Sequence, residues 1–128
     1  MSKTPTGALT SAKVADALDA AAAHIERVGW FQGDMYDPEQ ARIKPLTQCA
    51  VCALGAINVA LHGSPQFPLH DSEEWGSVDA HDLADYVTAR RIEGFDLAAW
   101  NDEPGRTQDD VTTALRETAA ELRRAAAS

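Results

Sequence analysis

Cys49-Ala-Val-Cys52 is the most chemically suggestive spacing in the chain. A structural zinc site needs four N, S or O ligands and usually shows a second Cys pair or paired His. No second pair exists, so His62, His70 and His81 would have to complete such a site. Redox Cys-x-x-Cys motifs sit in a βαβ setting, of which the sequence shows no sign. Within an apolar helix the two thiols would share one face as small buried hydrophobes, and core packing is the preferred reading. Cys52 has a second reading as a nucleophile, with His81 (or His70) as base and Asn101 as orienting amide, in papain-like chain order. That role needs an electropositive, partly exposed thiolate near a helix N-terminus. Cys49 lies closer than Cys52 to the expected helix start, which counts against it.

The second concentration of chemistry is WNDEPGRT, Trp100 to Thr107. Pro104-Gly105 suits the middle of a type II turn, where glycine supplies the positive φ. Thr107 and Asp110 form a capping-box pattern with Asp in place of Glu, and Asp109 and Asp110 complement a helix dipole. Asp102 and Arg106 are placed for an ion pair across the turn, and Asn101 for an Asx turn with its own backbone. Each residue therefore has a structural role, while the outward sides of Trp100, Asn101, Asp102 and Arg106 remain binding candidates. GWFQGD, Gly29 to Asp34, adds Trp30 and Gln32 as candidates beside a helix stop; sealing of the core is the preferred role for its aromatics. The histidines show no metal-binding spacing and read as boundary or surface residues. Asp79, Asp82 and Asp85 share one helix face, a solvated face or an acidic docking strip.

These residues are held by a pattern that reads as all-α, a single domain over 11–128 behind a disordered tail at 1–10. Val14, Leu18, Ala21, Ile25 and Val28 recur at helical spacing, with Thr10 or Ser11 as cap and Gly29 as stop, predicting a helix over 11–28. Thr47 and Gly63 bracket an almost wholly apolar segment that predicts a central buried helix over 47–62, with Gly55 admitting close neighbours and Asn58 needing partners. Further helices are expected at 78–90 and 108–125, the last with Val111, Leu115, Thr118 and Leu122 inward. Phe95 to Trp100 reads as a short apolar turn. Two long loops, 30–46 and 64–77, join these elements, the first with a short extended pair around Phe31 and Ile43.

The 128 residues suffice for one core without disulfide staples. Net charge is −9, and the imbalance is local: up to Ser64 six acids face five bases, and beyond it 14 face six. Phosphate neutralisation by Lys and Arg dominates nucleic-acid affinity, so this balance argues against nucleic acid and anionic membranes as partners. A cationic peptide or basic protein fits better. Two cysteines, no basic-then-apolar leader, and no apolar run near the ~20 residues of a membrane span point to the cytoplasm. No metal or other cofactor is expected.

GW-x-QG (Gly29 to Gly33), C-x-x-GAI-x-x-A (Cys52 to Ala60) and WND-x-x-x-RT (Trp100 to Thr107), in this order, resemble a family of small proteins of actinobacteria and their phages known only as a domain of unknown function. The resemblance runs from about Val14 to Leu122. It implies no activity, substrate or cofactor. It implies only that Trp30, Gln32, Gly33, Cys52, Gly55, Trp100, Asn101, Asp102, Arg106 and Thr107 hold motif positions, with Cys49 outside them. The eight Arg against three Lys accord with a high-GC genome. The resulting expectation is a small acidic helical protein that binds a protein or peptide partner without catalysis, as a homodimer. The alternative is a small enzyme or accessory protein of specialised metabolism. Its pocket would be formed by Gln32, Cys52 and the Trp100-Asn101-Asp102 turn.

Overall fold

Alanine-rich stretches with apolar residues at helical spacing produce the two longest elements of the computed structural model, which describes residues 11–66 and 96–127. Helix α1 spans Ser11–Val28. It buries Val14, Leu18, Ala21 and Ile25 on one stripe. The Gly29 amide closes it by donating to the Ile25 carbonyl at 2.7 Å. Helix α2 spans Ala53–His62, α3 Leu97–Asn101 and α4 Gln108–Ala127. Val111, Leu115, Thr118 and Leu122 of α4 are buried as their spacing predicts. The fold is all-α, a small single domain of four described helices.

α1 and α4 run antiparallel, as their cross-links show. Arg116 holds Glu26 bidentately at 2.5 and 2.9 Å, and Arg123 reaches Asp19 at 2.6 Å and Asp16 at 2.7 Å. These pairs lie at the surface, where they set register more than stability. α2 is buried on nearly every side and packs against α1, with α3 against α2.

The structure departs from the sequence reading at the start of α2. Residues 47–52 are not α-helical: Leu46–Gln48 form a single 3-10 turn, and Cys49 to Cys52 then run extended. Thr47 caps nothing. Cys52 is the N-cap, its sulfur accepting from the Gly55 amide at 3.3 Å. The two cysteines thus do not share a helix face. The cause is an ambiguity of period: a short apolar run fits a buried extended segment as well as a buried helix.

That extended segment anchors the first long loop. Val51 bridges Trp30 in parallel and Tyr36 in antiparallel fashion, replacing the extended pair expected around Phe31 and Ile43. Phe31 and Asp37 amides donate to the Val51 and Ala50 carbonyls, both at 2.9 Å, and the Cys52 amide donates to the Met35 carbonyl at 3.2 Å. Ile43 follows a 3-10 turn at Gln40–Arg42 and is 84% exposed. Residues 30–36 form a strap across the start of α2. Of the stretch read as a turn, Leu97 to Trp100 instead form most of α3, and Phe95 lies outside the described residues. Asp96 caps that helix by accepting from the Ala99 amide at 2.7 Å. His24, expected at a boundary or the surface, is buried. The expected helix at 78–90 with Asp79, Asp82 and Asp85, the residues His70 and His81, the tail 1–10 and most of the 64–77 loop lie outside the described residues. Among the described residues no helix is long and apolar enough to cross a membrane.

Candidate functional site

Asn101 ends α3 with its side chain fully buried, and a buried amide must satisfy two donor and two acceptor positions. It satisfies all four. Its Oδ1 accepts from the Trp30 indole at 2.7 Å and from the Ala53 amide at 2.9 Å. Its Nδ2 donates to the Phe31 carbonyl at 3.2 Å and to Asp102 Oδ1 at 2.9 Å. One side chain thereby ties the strap, the first amide of α2 and the end of α3 together. Gln32 and Asp102 reinforce the joint. Gln32 Nε2 donates to the Asn101 and Glu103 carbonyls, both at 3.0 Å, and the Gly33 amide donates to Asp102 Oδ1 at 3.0 Å.

Trp30, Gln32, Asn101 and Asp102, separated by about 70 residues of sequence, therefore form one network. Trp100 and Arg106 lie on its other side. Glu103 to Arg106 form the expected turn, with the Arg106 amide donating to the Glu103 carbonyl at 3.1 Å and Gly105 at φ 85°. The expected Asp102–Arg106 ion pair is absent. Arg106 instead pairs with Glu103 at 2.7 Å, donates through Nε to the Trp100 carbonyl at 3.0 Å and stacks 4.1 Å above the Trp100 ring. The turn carries Arg106 back over the indole, while Asp102, engaged with the strap, faces the other way. The capping box forms as the pattern requires: Thr107 and Asp110 exchange amide–side-chain bonds at 3.0 and 3.1 Å. Asn101 forms no Asx turn of its own, because its side-chain amide is committed to the joint.

Two concave surfaces adjoin this joint. A cavity of about 230 Å³ is walled by Gly33, Asp34, Met35, Cys52, Ala98 and Asp102. A groove of about 260 Å³ on the opposite side is walled by Trp100, Arg106, Asp109, Asp110, Thr113, Ala114 and Glu117. Cys52 sits at the N-terminus of α2, a position that by itself favours a thiolate. Burial outweighs it. Loss of solvent pushes the thiol pKa up and the negative charge of Asp102 adds to this, against the opposing Gly55 and Leu54 amides. The group is a neutral thiol at physiological pH. Alkylation of the folded protein at neutral pH is accordingly expected to run about tenfold or more slower at Cys52 than in denaturant. Mass-spectrometric labelling rates check this, and equal rates would show that Cys52 is an accessible thiolate. Cys49 is used separately, its thiol donating to the Pro45 carbonyl at 3.4 Å. Among the described residues no group of three or more His, Cys, Asp or Glu is placed to hold a metal ion.

Sequence reasoning missed three partners. Val51 bridges two loop residues, Gln40 Oε1 accepts the Ala50 amide at 2.7 Å, and the Met35 carbonyl lies against Gly55. Only the last had a signal, a glycine within an otherwise apolar helix.

The fold and joint define a class: a small all-α domain in which one buried amide fastens a loop to two helix ends. Residues 9–121 match the family of unknown function DUF6197, and the chain belongs to that family. No curated protein and no solved structure matches the chain.

Proposed function

We propose that the protein is a non-catalytic binding module that seats a basic segment of a protein or peptide partner in the groove between the Trp100 turn and α4. The observation that carries this reading is the composition of that groove. Among the described residues, Asp109, Asp110 and Glu117 border it against a single cation, Arg106, which is already paired with Glu103. Trp100 and the Ala114 methyl supply apolar wall on which a Lys or Arg stem can lie. The net charge of −9 favours the approach of a cation over that of an anion. The described surface exposes one large apolar side chain, Ile43, so the reading rests on charge rather than on an apolar dimer face. Buried free thiols suit a reducing cytoplasm. The catalytic alternative is weaker. Its amide has all four positions occupied and its thiol is held neutral, so neither is available for nucleophilic chemistry.

Calorimetric titration with an Arg- and Lys-rich peptide tests the proposal. Saturable binding that weakens as salt rises is expected, with an affinity about tenfold lower for Asp109→Asn/Glu117→Gln. Asp110 is left intact because it caps α4. Absence of saturable binding, or binding indifferent to the double variant, would overturn the reading.

A further inference from the structure

His24 is 4% exposed, and its surroundings fix where its proton sits. Its Nδ1 lies 3.2 Å from Arg27 Nη2, one turn further along α1. A guanidinium only donates, so Nδ1 accepts and the proton of the neutral ring resides on Nε2. Nε2 is itself buried and has no hydrogen-bond partner. A second proton therefore has one place to go, Nδ1, and that place already faces a donor. Protonation breaks the Arg27 bond, sets an imidazolium N–H against the guanidinium and leaves both ring protons without an acceptor. A buried charge so placed is costly unless it is paired.

The elements packed around the ring offer no such pair. Among the described residues, Arg27, Val28, Lys44, Thr47 and Gln48 line one cavity with His24, bringing two cations and no carboxylate. The extended segment before α2 adds the thiols of Cys49 and Cys52, and α2 itself adds only His62, in its last turn. α1 ends beside the first turn of α2, where Trp30 bridges Val51. On α1, Glu26 is turned to Arg116 of α4, and Asp16 and Asp19 are turned to Arg123. Among the described residues, the one charge that bears on the ring is that of Arg27.

We infer that His24 is an acid-sensitive latch: a proton gained at Nδ1 expels the ring from beside Arg27 and loosens the last turn of α1, from which the strap departs. Gly29 carries the effect onward. Its amide closes α1 on the Ile25 carbonyl at 2.7 Å, and its carbonyl accepts the Val51 amide at 3.1 Å. Trp30, the next residue, holds Asn101. Burial first, and then the Arg27 charge, lower the His24 pKa from its ordinary value of about 6.5. Just below that value the unfolded chain binds more protons than the folded one. The stabilisation is therefore complete above about pH 6.5 and is lost as pH falls from there toward the lower folded value. Over that interval the opening equilibrium of the region grows by up to about tenfold per pH unit. The latch is independent of the acidic groove.

The full chain, labelled with ¹⁵N, is titrated downward from neutral pH while the imidazole resonances and amide exchange are followed. His24 is expected as the Nε2–H tautomer at neutral pH and to titrate below its ordinary value. With intrinsic exchange rates corrected for, the Gly29, Phe31 and Val51 amides should exchange at least about threefold faster relative to α4 at about pH 5 than at about pH 7. His24→Gln, which offers Arg27 an uncharged acceptor, should abolish that pH-dependent difference. Arg27→Gln keeps the ring and removes the facing charge, so His24 should titrate nearer its ordinary value and the difference should shrink. This second variant keeps the test decisive where His24→Gln fails to fold. The proposal is overturned by an Nδ1–H tautomer at neutral pH, by His24 titrating at or above its ordinary value, or by a pH-dependent difference that survives His24→Gln.

Discussion

Asn101→Ala is expected to lower unfolding stability by roughly 3–5 kcal/mol, among the largest effects any single polar truncation can have in this chain. The substitution removes an acceptor from the buried Ala53 amide and a donor from the Phe31 carbonyl, and leaves a cavity where the amide stood. Buried groups stranded in this way cost about 1–3 kcal/mol each. The Trp30 indole also loses its partner but is half-buried and can turn partly to water, so it adds less. Against a typical total of about 5–15 kcal/mol, such a loss brings the domain near its threshold. Asn101→Asp separates the hydrogen-bond pattern from volume. It keeps the shape and one accepting oxygen but places a carboxylate against Asp102, with no hydrogen to offer. Burial and that neighbouring charge raise the new carboxyl's folded pKa above its unfolded value. The penalty is therefore full at neutral pH and shrinks as pH falls and the group protonates. Urea unfolding of both variants at two pH values is the measurement. An alanine variant within about 1 kcal/mol of the parent would show that the joint is not what fastens the strap.

What the sequence disclosed follows the range of the interactions. α1 and α4 were legible because their burial is written in a 3.6-residue period. The Thr107–Asp110 box and the Pro104-Gly105 turn were legible because every partner lies within three residues. The start of α2 was not, since Cys49 to Cys52 are as apolar as the helix that follows and carry no period to tell extended from helical. The membership of the joint was visible in motif positions, but its wiring was not. Asn101 bonds residues 48 to 71 positions away, and no local pattern specifies them. Asp102 and Arg106 show the reverse error: opposite charges on either side of a turn need not meet, and here Asp102 takes the Gly33 amide while Arg106 folds back on Glu103 and the Trp100 ring. His24 likewise reads as a boundary residue because its burial arises from packing beyond its own helix.

Gly55→Ala is the second large effect expected, and here two opposing terms must be compared. Within a helix, alanine is intrinsically better than glycine by about 1 kcal/mol, so an unencumbered site would be stabilised. At position 55 a Cβ would stand 2.2 Å from the Met35 carbonyl oxygen and 3.2 Å from its carbon. Those atoms are backbone and cannot rotate away. The strap must lift, and the same carbonyl accepts the Cys52 amide, so lifting breaks the bond that seats the strap on the N-cap of α2. Overpacking against backbone costs about 1–3 kcal/mol, and loss of the Met35–Cys52 bond about 1 kcal/mol more. The net expectation, after the helix gain, is destabilisation of roughly 1–3 kcal/mol. The loss should be spatially confined. Amide hydrogen exchange should accelerate at Cys52, Phe31 and Gly33, all of which depend on strap contacts, while α1 and α4 amides change only as global stability does. Alkylation of Cys52 should quicken in the same variant, because the lifted strap uncovers the cavity that its thiol borders. A variant more stable than the parent, with Cys52 still protected, would mean that the strap yields without cost and that Gly55 is not required by the close approach.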